Sequence, residues 1–275
     1  MTFADLFPDL RPWVESLAVT LPGSYIKPQF AAWQVWHILS LAMLGGATIL
    51  VNLRLIGAGL TEESPSEVRR NLLPGLHVGV VGIIISGVLI GTANAERLYD
   101  SQAFLVKMVA LLAGIILTYG VSMPVAAADG RVGTGPKIAL GLGMAVWLFA
   151  LWQFSTGDLI NPGMWHMIFA AGLVVAVALR GALRWAYLAL MTAMVAIHFA
   201  LTHFVIAPDD YDRLNPVNIG AAWVFGGVIA AAALAQLFLG NRDREPRSPI
   251  AVAAAYATML VWVSAGAAGR WIAFA

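Results

Sequence analysis

The chain has 275 residues, of which 60% are apolar and only 11% charged, with 16 Lys+Arg against 15 Asp+Glu. Charge this sparse cannot cover a water-facing surface, so a soluble globular domain is excluded. A net charge of +1 gives no reason to expect a nucleic-acid partner, and the absence of cysteine excludes disulfides, Fe–S clusters, thiolate metal sites and covalently attached c-type haem.

The first 30 residues carry Asp5, Asp9 and Glu15 and no long apolar run, unlike a signal peptide; within them, residues 10–21 are expected to form a short interfacial helix. Eight apolar stretches follow, near 31–53, 72–92, 103–123, 137–154, 163–179, 185–206, 217–239 and 250–274. As helices, each is long enough to cross ~30 Å of hydrocarbon. The expected fold class is therefore all-α, a polytopic membrane protein with eight transmembrane helices. Ten cations (Arg54, Arg69, Arg70, Arg131, Lys137, Arg180, Arg184, Arg242, Arg244 and Arg247) fall in loops on one side, against five (Arg11, Lys27, Arg97, Arg213 and Arg270) on the other. The positive-inside rule then puts both termini in the periplasm of a bacterial inner membrane.

The spans carry hints of a tandem duplication. Trp36-His37 opens the first and Trp165-His166 the fifth, at an offset of 129. Arg97-Leu98 matches Arg213-Leu214 at an offset of 116, and Met144 and Trp147 match Met259 and Trp262 at 115. The expectation is two four-helix units, 1–158 (with the N-terminal segment) and 159–275, in the same orientation.

All the carboxylates fall outside the spans, which argues against a proton-coupled transporter. The ionisable groups inside are Lys107 and the histidines at 37, 77, 166, 198 and 203. Helical rise puts His37 about 10 Å and His198 about 12 Å below the outer surface, and His166 and His203 both about 5 Å below it. Imidazoles without acids suit a metal or haem. Haem b needs axial ligands from separate helices, an apolar slot and cations for its propionates. Lys107, Arg97 and Arg213 are the expected cations. His37 with His198 is the preferred axial pair, and His166 with His203 offers a second haem or a metal site. His37 with His166, across the pseudo-two-fold axis, is the other arrangement. The duplication aligns Gly82 and Gly87 of the second span with His198 and His203, as if one unit offered room and the other ligands. His77, alone near the cytoplasmic end, reads first as a hydrogen-bonded interfacial side chain and otherwise as part of a quinone site.

Trp33-x3-His37, Asn52-Leu53-Arg54-Leu55-Ile56-Gly57, Ala103-Phe104-Leu105-Val106-Lys107 and the closing Gly269-Arg270-Trp271-Ile272-Ala273-Phe274 resemble an uncharacterised family of four-helix bacterial membrane proteins. That family is similar in layout to copper-resistance D-type and cytochrome b membrane proteins, in which an outer-leaflet His on the first helix is a candidate ligand. The resemblance supports His37, Lys107 and Arg270. Asn52 departs from the Asp expected in the Leu-Arg motif.

The leading functional expectation is a b-type cytochrome transferring electrons near the periplasmic face, with one haem b or two. Its expected partners are the bilayer, a quinol or periplasmic redox protein, and further copies or other subunits of a membrane complex. A copper-handling permease using the outer His with Met43, Met164 and Met167 is the alternative. Further readings are an oxidoreductase acting on a lipid-soluble substrate, with one histidine as base, and a structural subunit without cofactor.

Overall fold

The computed structural model describes residues 1–155, 162–239 and 248–272. The long helices are α1 (Phe30–Ile56), α2 (Pro65–Ala93), α3 (Gln102–Leu117), α4 (Thr134–Ser155), α5 (Pro162–Ala178), α6 (Gly181–Ala200), α7 (Tyr211–Leu239) and α8 (Pro249–Trp271). Among the described residues every regular element is helical, and seven of the helices are long and apolar enough to cross a membrane. The other, α5, has 17 residues, with its apolar described stretch at Ile168–Ala178. The expected boundary between units at 158/159 lies outside the described residues, as do Arg242, Arg244 and Arg247.

Local chemistry sets the helix ends. The α1 helix stops because Gly57 takes the left-handed conformation (φ 80°), and the Ala58 amide then donates back to the Leu53 carbonyl at 2.8 Å. The α2 helix starts on a capping box, the Ser64 hydroxyl accepting from the Glu67 amide at 3.2 Å while the Glu67 carboxylate accepts from the Ser64 amide at 3.0 Å. Asp129, in the turn between α3 and α4, adds a cap from outside by accepting from the Ser66 amide at 3.0 Å. The hydrogen bonds from Ser66 hold the Asp129 carboxyl below its usual range. Because the folded value is the lower one, this support is present above the unfolded carboxyl range and is lost as pH falls through the folded value. Asp129→Asn keeps the left-handed turn but loses the charge at the α2 N-terminus. We expect it to lower stability by roughly 0.5 kcal/mol at pH 7, the charge being exposed, and by less at pH 3 when unfolding in detergent is followed at both pH values.

Small residues bring α1 and α2 to backbone contact. A Cβ on Gly79 would lie 2.6 Å from the Leu44 amide nitrogen, and one on Gly82 would lie 2.3 Å from the Ser40 hydroxyl. Lipid tails are as apolar as leucine, so close van der Waals approach of this kind, not the hydrophobic effect, holds spans together. The last helix, α8, occupies the centre, packed against α1, α3, α4, α5 and α7. Its buried face is largely alanine, with Ala251, Ala254, Ala255, Ala257, Ala265, Ala267 and Ala268 all buried, so five neighbours fit around it. The helices expected as two tandem units thus both pack on α8.

The α3 helix continues through a π-helical segment, Thr118–Ser122, into Met123–Ala127. Successive residues of this segment meet different helices. Thr118 accepts from the Trp262 indole of α8 at 2.8 Å, Tyr119 stacks on His77 of α2, and Gly120 faces Ala139 of α4. The Ser122 hydroxyl lies 2.8 Å from Asn52 Oδ1 of α1 and 2.9 Å from Thr258 Oγ1 of α8. Asn52 in turn donates to the Thr48 carbonyl at 2.8 Å, so a fully buried polar side chain is held from both sides.

Two links tie the arginine-rich end together, Arg54 donating to the Glu63 carbonyl and Arg180 to the Gly57 carbonyl. The N-terminal segment folds over the opposite end. Its helix Arg11–Leu17, inside the expected interfacial stretch, docks on the short helix Ala95–Tyr99. Arg11 pairs there with Asp100 at 2.5 Å, Tyr99 donates to the Phe7 carbonyl, and Val14 packs with Ala95 and Tyr99.

Candidate functional site

His37 projects from the second turn of α1 at the end capped by the N-terminal segment. Gly87 of α2 lies against the ring, since a Cβ there would stand 3.3 Å from His37 Cε1. The space left by Gly82 and Gly87 is therefore occupied by Ser40 and His37 of α1. One imidazole nitrogen, Nδ1, is 3.0 Å from the Ser86 hydroxyl, which itself donates to the Gly82 carbonyl at 2.5 Å. The other, Nε2, is 3.4 Å from Lys107 Nζ of α3.

These contacts select one protonation pattern. Ser86 has spent its single proton on Gly82, so His37 Nδ1 must carry the proton shared with Ser86. Nε2 is then the bare acceptor facing the ammonium of Lys107. Of the three ammonium protons, only one meets His37, and among the described residues no carboxylate pairs with Lys107. Gly269 of α8 closes the other side of the lysine: a Cβ there would lie 3.4 Å from Cδ and Cε and 3.7 Å from Nζ. Thus α1 and α8 close on a cation of α3 that has unspent donors among the described residues, and α2 holds the imidazole it meets.

The other expected site residues lie elsewhere. His198, on α6, sits beside Trp165 with ring centroids 4.7 Å apart and near Phe225 at 6.5 Å, and its buried Nδ1 has no hydrogen-bond partner among the described residues. His37 meets Ser86 and Lys107 while His198 meets Trp165 and Phe225, so the structure does not bring the preferred axial pair together among the described residues. His203 is exposed in the π-helical turn Leu201–Val205, stacked on Phe199 at 4.1 Å with Nδ1 3.0 Å from the Thr202 hydroxyl. The side chains of His166, Met164 and Met167 lie outside the described residues. Arg97 is exposed on the short helix Ala95–Tyr99, Arg213 pairs with Asp210 at 3.4 Å, and Arg270 is exposed at the end of α8. Among the described residues no group of three or more His, Cys, Asp or Glu is arranged to hold a metal ion. Lys107 and His37 were visible in the sequence. Ser86 carries no sequence signal and Gly269 enters only as the start of the closing motif, because only packing turns a serine and a glycine into parts of a site.

The family described as "Family of unknown function (DUF6644)" matches residues 13–161, more than half the chain. The chain belongs to this family. The DUF6644 match spans α1–α4 and therefore holds His37, Ser86 and Lys107, together with the Asn52–Ser122 contact. Gly269, His198 and His203 lie beyond it. No curated protein and no solved structure matches the chain.

Proposed function

We propose that this DUF6644 protein binds the anionic head of a lipid-soluble ligand in the outer leaflet of a bacterial inner membrane. In this reading both termini are periplasmic and α5 completes eight crossings. Lys107 supplies the charge, His37 holds the ammonium in place, and Ser86 fixes the imidazole tautomer. The observation that carries the reading is a lysine of α3 closed in by α1 and α8, with two N–H donors unspent and no carboxylate beside it among the described residues. An unpaired ammonium out of water is costly, and a residue of this kind facing a bundle interior is by default part of a binding or transport site. The ligand's own anion supplies the missing partner.

The test is a thermal-unfolding titration of the purified full chain in a neutral detergent, using decyl phosphate and, as the opposite charge, decyltrimethylammonium. Decyl phosphate at a hundred times its Kd is expected to stabilise by about 2.7 kcal/mol, and the cation by nothing measurable. Equal responses to the two would sink the proposal.

A second reading, the b-type cytochrome, draws on one observation. His37 Nδ1 is fixed by Ser86, which is how ligating histidines are commonly oriented for binding through Nε2. The residues around Nε2 do not fit a haem as they stand: Lys107 faces that nitrogen, Ser40 and His37 fill the glycine gaps, and His198 packs on Trp165 and Phe225 instead. A visible spectrum of the protein purified from haem-replete cells separates the readings. A Soret band lost in His37→Ala supports the cytochrome, and no Soret band removes it.

A further inference from the structure

The outer surface of α2 near the arginine-rich end carries polar groups whose hydrogen-bonding capacity is unspent among the described residues. Arg70, Pro74 and His77 are exposed on one stripe of the helix, continued by the exposed apolar Val81, Ile84 and Val88. His77 lies seven residues past Arg70, a rise of about 10 Å along the span. Its ring stacks on Tyr119 with centroids 5.8 Å apart, and among the described residues neither imidazole nitrogen nor the Tyr119 hydroxyl has a hydrogen-bond partner. The guanidinium of Arg70 makes no hydrogen bond or salt bridge among the described residues, and its charge acts on the nearby Glu67 carboxylate only at longer range. Pro74 lacks an amide proton, so the Arg70 carbonyl four residues earlier is left without its helical donor.

We propose that this stripe is a binding site for an anionic phospholipid with a hydroxylated headgroup, of the phosphatidylglycerol class. The vertical order of groups matches such a lipid. The phosphate meets Arg70 at headgroup level, and a glycerol hydroxyl donates to the Arg70 carbonyl. Deeper along the span, an ester carbonyl accepts from His77, whose side chain leans back toward the helix N-terminus and the headgroup, or from the Tyr119 stacked on it. The acyl chains then run along Val81, Ile84 and Val88. This site is at the opposite end of the bundle from Lys107, on a different face, and does not depend on the function proposed above.

Native mass spectrometry of the detergent-purified full chain, with phosphatidylglycerol or phosphatidylcholine of identical acyl chains, tests it. Phosphatidylglycerol is expected to be retained more strongly than phosphatidylcholine. Arg70→Ala should weaken its retention about fivefold and His77→Ala roughly threefold, while His77→Gln, which keeps a donor, retains most of it. Made in the Lys107→Met background, these comparisons count no lipid held by that lysine. Equal retention of the two lipids, or unchanged retention in both alanine variants, would each overturn the proposal. So would displacement of the lipid by millimolar glycerol 3-phosphate, which would assign the stripe to a soluble phosphate.

Discussion

Lys107→Met should melt at a higher temperature than the parent protein while losing its response to decyl phosphate. Methionine has nearly the length and flexibility of the lysine stem, so the contacts with Gly269 and the neighbouring helices survive. What disappears is an ammonium with no carboxylate partner among the described residues. On membrane-insertion scales a lysine at mid-helix costs about 2.5–3.5 kcal/mol, and Lys107, nearer the end of its span, costs less. Against this stands the single contact to His37 Nε2, at 3.4 Å a long one, for which about 0.6 kcal/mol is a fair allowance. A net gain of about 1 kcal/mol is therefore expected in the ligand-free protein, measured by thermal unfolding in detergent. Gain of stability together with loss of ligand response is the pattern of a residue kept for function. A Met variant that unfolds more readily and still responds to decyl phosphate would make Lys107 a structural element.

The largest loss of stability is expected from Trp262→Ala. The indole is buried between α8 and α3, lying so close to Gly114 that a Cβ there would be 2.9 Å from its Cε2, and its Nε1 donates to Thr118 at 2.8 Å. In water-soluble cores a Trp→Ala change costs about 3–5 kcal/mol. In a bilayer the lower end applies, about 3 kcal/mol, because truncated apolar surface passes from protein to lipid and only packing and the hydrogen bond are lost. Trp262→Phe keeps most of the ring contact and should lose about 0.6–1.7 kcal/mol, the range for one interhelical hydrogen bond. Unfolding of both variants in a denaturing-detergent titration gives the two values. Equal losses would mean that the hydrogen bond to Thr118, not ring packing, holds α8 to α3.

How much of this was legible beforehand differs from residue to residue. The capping box at Ser64, the left-handed Gly57 and the apolar runs are local, so sequence reasoning reaches them. His37 and Lys107 stood out because an ionisable group inside an apolar run is rare whatever its neighbours. Their being side by side was not legible, since the two residues are 70 positions apart and only helix order and rotation decide whether they meet. Gly82 and Gly87 show the same limit from the other direction. Read as room for a cofactor, they are instead filled by Ser40 and His37, because a glycine in a span serves close helix approach as readily as ligand binding. The π-helical Thr118–Ser122 segment has no sequence signature at all, yet it aims Thr118 and Ser122 at two other helices.

By itself the sequence determined the membrane, helical character of the chain and its short list of embedded ionisable groups, because hydropathy and charge are properties of each residue and its near neighbours. Only the tertiary structure decided that His37 stands with Ser86 and Lys107 instead of His198, and that α8 belongs among the first helices as much as the last. Those outcomes depend on which faces pack, and in lipid that is settled by small-residue fit and interhelical hydrogen bonds between residues far apart in the chain.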